Sequence, residues 1–207
     1  MPHGAPKDAS WTPPAGGVLV SATANLCALL SEKRAMCRLK LVLSVCLLAC
    51  ASVAAAETLE GHVTGIVDGD TLMVDVPNRG QLRVRLAWID APDRLQEHGE
   101  ASRSGLNALA AGQGVRVETV AEAKGLQVAV VWVKAPDAPC RDAGCPKTLD
   151  LGLAQVARGL AWHDRRPLGQ SPQAKGQYEH AEFEAKIRRV GLWSGKNPTP
   201  PWDWRGR

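Results

Sequence analysis

Two short stretches carry side chains suited to chemistry on a charged substrate. The first is Asp68-Gly69-Asp70-Thr71, and the second runs Arg85-Leu86-Ala87-Trp88-Ile89-Asp90-Ala91-Pro92-Asp93. If the carboxylates of Asp70 and Asp90 converge, they suit a hard divalent cation, which takes oxygen ligands. Arg85, five residues before Asp90, then has a planar fork of N–H donors to present to a phosphate. Asp-Gly is also a common turn, so the first stretch reads as a plain bend between strands as well.

The elements that must position these residues follow from the apolar spacing. Leu59, Val63 and Val67 lead to the Asp68-Gly69-Asp70 turn, after which Leu72, Val74 and Val76 alternate. A second turn, Pro77-Asn78-Arg79-Gly80, leads to Leu82, Val84, Leu86 and Trp88, again at period two. Period two is the signature of a strand with one buried face, so three strands form an antiparallel meander. A helix is expected over 97–111, closed by Gly112, and two strands over 115–121 and 127–134, the second buried on both faces. After a Pro, Gly and Cys-containing loop over 135–146, Thr148 is expected to N-cap a helix carrying Leu149, Leu153, Val156 and Leu160. A last helix over 172–190 places Phe183, Ile187 and Val190 on one face. The fold class expected is α+β: five strands in a small barrel such as the OB-fold, with three helices around it.

Composition is informative only once it is located. The chain has 207 residues, 25 Lys and Arg against 21 Asp and Glu, and six cysteines. A hydrophobic content of 45% and a charged content of 22% exclude wholesale disorder and a multi-span membrane architecture. Residues 41–49 form an apolar run after Arg38 and Lys40, followed by the small residues of 51–56. That order is the grammar of a signal peptide over 36–56 with cleavage after Ala56, and the run is too short for the ~20 residues of a bilayer span. Residues 1–35 are expected to be upstream sequence or a disordered extension, with translation starting at Met36. A second reading takes Leu47-Leu48-Ala49-Cys50 as a lipoprotein box, leaving a lipid and hence a membrane anchor on Cys50. Removing the leader takes Lys7, Lys33, Arg34, Arg38, Lys40, Asp8 and Glu32 with it, so the net charge falls from +4 to +1. Four cysteines also go, leaving Cys140 and Cys145, too few ligands for a structural zinc site and expected to pair as a disulfide in an exported protein. The tail over 196–207 carries Trp202 and Trp204, expected to dock on the barrel.

The separated motifs Val67-Asp68-Gly69-Asp70-Thr71, Val84-Arg85-Leu86 through Asp90-Ala91-Pro92, Gly159-Leu160-Ala161-Trp162 and Gly191-Leu192-Trp193-Ser194 resemble the staphylococcal (micrococcal) nuclease-like, or thermonuclease, family. The resemblance spans Gly61 to Trp193 and implies the same OB-fold barrel with three helices over 57–195. It implies a calcium-dependent nuclease that cuts DNA and RNA with little base preference; the chain is expected to act as a monomer, with no protein partner. By position it makes Asp70 and Asp90 the Ca2+ carboxylates, Ala91 a backbone ligand, Arg85 the first phosphate-binding arginine, and Asp93 the match to the family's water-activating glutamate. The family's second arginine falls on Leu126, with Lys124 two residues earlier as a substitute charge on the substrate. Asp93, Leu126 and the missing tyrosines after Trp162 also admit a second reading, a catalytically impaired module that binds nucleic acid or another partner. Location is expected to be periplasmic or secreted, or lipid-anchored in the alternative.

Overall fold

The computed structural model describes residues 57–206 apart from Lys124, Arg141, Ala143 and Leu168. The expected extension over 1–35, the leader over 36–56 with Cys50, and Lys124 lie outside the described residues.

Strands β1 (Thr58–Ile66), β2 (Thr71–Val76) and β3 (Gly80–Leu86) form the expected meander, with alternate residues such as Leu59, Val63, Leu72, Val74 and Val84 turned into the core. The β2–β3 turn is made by residues able to take a left-handed backbone, Asn78 at φ +64° and Gly80 at φ +72°. Strand β4 (Ile89–Asp90) is short, and helix α1 (Gly99–Ala110) follows it. Strands β5 (Gly114–Ala123) and β6 (Leu126–Lys134) form a long antiparallel hairpin, and β5 pairs with β1. The barrel closes where β6 returns to β3, with Arg85 opposite Val128. Strand β7 (Lys147–Asp150) extends the sheet from β6, and helix α2 (Leu151–Ala157), strand β8 (Trp162–His163), helix α3 (Pro172–Arg188), a 3-10 turn (Gly191–Ser194) and the short helix α4 (Pro201–Trp204) complete the chain. Five strands thus close into a barrel with helices around it, the α+β architecture expected.

Several details depart from the sequence reading. The closing β3–β6 pair is parallel, not antiparallel. The third strand stops at Leu86: Trp88 takes φ +59° and turns the chain sharply, so its place in the alternation is coincidental. Strand β6 buries one face fully, through Gln127, Ala129, Val131 and Val133, and the other only at Val130, with Val128 and Trp132 half-buried. Asp150, not Thr148, caps α2: its Oδ1 accepts the N–H groups of Gly152 at 2.9 Å and Leu153 at 3.3 Å, while Leu149 belongs to β7. Asp150 also accepts the hydroxyl of buried Tyr178 at 2.7 Å, which ties α3 to the start of α2. That bond explains the largest departure. The inward face of α3 is Tyr178, Glu182 and Ala185, while Phe183 and Ile187 are 58% and 61% exposed.

Cys140 and Cys145 form a disulfide, with Cα atoms 5.7 Å apart, across the loop before β7. The motifs at Gly159 and Gly191 meet in space: the Leu192 N–H donates to the Gly159 carbonyl at 2.8 Å, and a Cβ on Gly191 would lie 2.8 Å from the Gly159 carbonyl carbon. The tail docks in part as expected, with Pro201 buried and Trp202 edge-on to Trp162 at 6.4 Å, while Trp204 stays exposed.

Candidate active site

Asp70 stands at the entry to β2, on a turn closed by local bonds and fixed from behind. Its N–H donates to Asp68 Oδ1 at 3.1 Å, and the Val67 N–H donates to the Thr71 carbonyl at 2.9 Å. Gly69 is needed at the turn because a Cβ there would lie 2.7 Å from Ser102 Cβ and 2.8 Å from Ala91 Cβ. Fully buried Gln155 of α2 donates through Nε2 to the Gly69 carbonyl at 2.8 Å and the Ser102 carbonyl at 3.0 Å. Ser102 in turn donates its hydroxyl to the Leu160 carbonyl at 2.6 Å. Both helices therefore hold the turn that carries Asp70.

Arg85 and Asp90 reach the same point by different routes. Arg85 lies at the end of β3, next to the cross-strand partner of Asp70, since Thr71 pairs with Arg85 and the Leu86 N–H donates to the Asp70 carbonyl at 2.7 Å. Beyond it, the left-handed Trp88 reverses the chain into β4. A bulky residue in that conformation costs roughly 1–3 kcal/mol. It is held there by the Asp164 N–H, which donates to the Trp88 carbonyl at 2.8 Å, and by the pairing of β4 with β8.

One nitrogen, Arg85 Nη2, then donates to both Asp70 Oδ2 at 3.3 Å and Asp90 Oδ1 at 3.0 Å. Both carboxylates are buried. Asp70 also accepts the Thr71 hydroxyl at 2.8 Å and the Ala91 N–H at 3.1 Å. Burial pushes its pKa up to about 6, and the positive charge of Arg85 opposes that rise without cancelling it.

Two further arginines share Asp90. Arg166 donates Nη2 to Asp90 Oδ2 at 3.2 Å and holds Asp164 through Nε at 2.7 Å and Nη2 at 2.8 Å. Its guanidinium lies 4.6 Å from the ring centre of Trp202. Arg205, from the tail, donates to Asp90 Oδ1 and Oδ2 at 3.0 and 3.2 Å, and to Asp93 through Nε at 3.0 Å and Nη2 at 2.9 Å. Arg85, Arg166 and Arg205 line one cavity of about 430 Å³ with Asp90 and Asp164, and its other wall is apolar: Val120, Ala121 and Val128.

The structure thus brings Asp70, Arg85 and Asp90 together and keeps Asp93 at their rim through Arg205. Ala91 enters by its N–H on Asp70, and Leu126, half-buried opposite Arg83, is not part of the cavity lining. The donor set fits a hard cation: two buried carboxylates supply oxygens, and Arg205 already lays a cationic group across Asp90 and Asp93. Among the described residues no group of three His, Cys, Asp or Glu forms a complete protein cage, so carbonyl or water oxygens must complete any coordination. Sequence reasoning did not find Gln155 or Arg205 as parts of this site. The available signal for Gln155 was a polar residue inside the apolar stripe of α2; for Arg205, 115 residues from Asp90, there was none.

Comparison with known proteins gives the family of the chain. A family model described as staphylococcal nuclease homologue matches residues 83–195. Micrococcal nuclease of Shigella flexneri is 39% identical over 156 residues, covering 74% of this chain and 84% of that protein. Protein ParB of Escherichia coli is 34% identical over 175 residues, covering 84% of this chain and 94% of its own length. An uncharacterized endonuclease of Escherichia coli O157:H7 is 30% identical over 150 residues, 72% of this chain and 86% of its own. The chain belongs to the staphylococcal nuclease family.

Proposed function

We propose that this protein is an exported, calcium-dependent nuclease that hydrolyses phosphodiester bonds in both DNA and RNA, acting as a monomer. The observation that carries the reading is the Asp70–Arg85–Asp90 cluster, in which one guanidinium nitrogen spans two buried carboxylates at the wall of a cavity. Family membership supports nucleic acid as the substrate class. The signal-peptide grammar of 36–56 and the Cys140–Cys145 disulfide support export, with a lipid on Cys50 as the alternative anchor.

Asp70 and Asp90 would hold calcium, which when bound would supply Lewis-acid polarisation of a phosphoryl oxygen. Arg85 uses only Nη2 on the carboxylates, so its Nε–H and Nη1 remain to neutralise charge that develops on the phosphate. Arg205 would have to release Asp90 for that carboxylate to hold a cation, and Asp93 for it to act as a base. Asp93, released from Arg205, accepts the proton of the attacking water as the new P–O bond forms, and the proton passes finally to the departing ester oxygen. Base preference is expected to be slight, because no residue of this scheme reads a base edge.

A second reading, binding without turnover, is favoured by one observation: both oxygens of Asp93 and both of Asp90 are engaged by Arg205. Incubating the purified chain with single-stranded DNA and with RNA, in calcium or in excess chelator, separates the two. Cleavage of both polymers that the chelator abolishes supports the nuclease; tight binding with intact polymer at high protein concentration supports the impaired module.

A further inference from the structure

Arg166 has the geometry of Arg85 in mirror arrangement. Arg85 Nη2 bonds Asp90 Oδ1, and Arg166 Nη2 bonds Asp90 Oδ2, so one buried carboxylate has a guanidinium on either oxygen. In both side chains Nη1 has no protein acceptor among the described residues. A guanidinium has five N–H donors in a rigid fork, so both arginines keep donors in hand after their carboxylates are satisfied.

The way Arg166 is held argues against a plain surface ion pair. Asp164 takes its Nε and Nη2 together, the Arg166 backbone N–H donates to the same Asp164 Oδ1 at 3.0 Å, and Trp202 backs the guanidinium face. Such two-point fixing with an aromatic backing orients the fork, yet the side chain remains 58% exposed toward the cavity and solvent. The opposite wall, among the described residues, contributes no cation: Val120, Ala121 and Val128 are apolar, and Leu126 lies one period along the same face of β6. Among the described residues, a phosphodiester entering this cavity therefore meets positive charge from Arg85 of β3, from Arg166 after β8 and from Arg205 of the tail, and Arg205 is the one whose donors are committed to Asp90 and Asp93.

We infer that Arg166 is a second phosphate-binding residue of this site, pairing with Arg85 to receive the non-bridging oxygens of a phosphodiester. The inference rests on the reading of the cavity as a nuclease site. Asp164 and Trp202 act as positioning residues for it.

The test uses the full chain, an octathymidylate with natural linkages, and its counterpart with uncharged methylphosphonate linkages. Arg166→Met is expected to lower the single-turnover cleavage rate by a factor on the order of 10²–10³, the size seen when one donor to a developing charge is lost. It should weaken binding of the natural octamer and leave binding of the uncharged one unchanged. The melting temperature is expected to fall by several degrees, because buried Asp90 and Asp164 each lose a partner, so rates are compared at a temperature where both proteins are fully folded. Adding Leu126→Arg to Arg166→Met should restore at least about tenfold in rate by bringing charge from the other wall. If Arg166→Met unfolds the protein, Arg166→Lys is read instead: it keeps charge without the fork, and an intermediate rate is expected. Wild-type rates in Arg166→Met, or equal weakening for both octamers, overturn the inference while leaving the nuclease reading intact. A wild-type chain that neither binds nor cuts the natural octamer overturns the reading beneath it.

Discussion

Asp90 is the residue on which the site turns, because a fully buried carboxylate shared by three arginines is a stable arrangement only while all its lone pairs are met. Arg85, Arg166 and Arg205 meet them at 3.0 to 3.2 Å. Arg205 is the one of the three that also binds Asp93, and it arrives from the end of the chain instead of from the barrel. It therefore competes directly with any cation for Asp90. Replacing it, as Arg205→Ala, is expected to tighten calcium binding by about tenfold, read by isothermal titration of the full chain. Unchanged or weaker affinity would mean that Arg205 supports the carboxylates and does not compete for them. Arg85 and the two carboxylates were legible in the sequence because Asp70 sits at a turn between two strands, and Arg85 and Asp90 stand five residues apart around the end of the third strand. Arg205 was not, since nothing in a run such as Pro-Trp-Asp-Trp-Arg states which part of a barrel it will meet.

At the scale of elements, the turn before β2 and the reversal after β3 decide whether Asp70 and Asp90 converge. Gly69 packs against Ser102 and Ala91, and Gln155 bonds its carbonyl, so the turn cannot drift without disturbing both α1 and α2. Gly69→Ala is expected to cost about 1–3 kcal/mol of stability by overpacking and to displace Asp70 from Arg85. Denaturant unfolding together with calcium titration checks it; full stability with unchanged calcium affinity would show that the turn has room. The strands themselves were legible because period-two alternation survives in β1, β2 and β3, where one face is buried. The α3 face was misread for a physical reason: Tyr178 is drawn inward by Asp150, and Glu182 by the His163 N–H at 3.2 Å and Arg165 at 3.1 Å, so polar groups hold the buried side. The apolar Phe183 and Ile187 then face out. The cap at Asp150 was missed similarly, because a four-residue strand takes Leu149 that the helical spacing had claimed.

For the whole molecule, the balance between fold and site appears in its pH dependence. Asp70 has its pKa raised by burial to about 6, so the folded state holds its proton more tightly than the unfolded chain does. The stability contributed by the protonated group is present below the ordinary carboxylate range and is lost as pH rises through about 6. In chelator, the wild-type melting temperature should therefore fall relative to that of Asp70→Asn between about pH 4 and 6 and then run parallel. On the order of 1–3 kcal/mol is at stake, and parallel curves across the whole range would contradict the burial argument. The cost is the kind a metal site imposes, because a carboxylate buried for a cation is destabilising without one. The formal charge of +4 gave no guide to this, since leader removal would leave +1 and the proposed phosphate contacts are two local arginines, Arg85 and Arg166, not a basic surface.

The cluster of Asp70, Arg85 and Asp90 as a phosphodiester-cleaving centre is the central claim. The single-turnover cleavage rate of single-stranded DNA in saturating calcium, wild type against Asp70→Ala at equal fold content, tests it most directly. The account predicts chelator-sensitive cleavage by the wild type and loss of at least about 10³ in rate for the variant, as expected when a ligand of a catalytic cation is removed. Cleavage by Asp70→Ala at the wild-type rate, or wild-type cleavage indifferent to chelator, would contradict it.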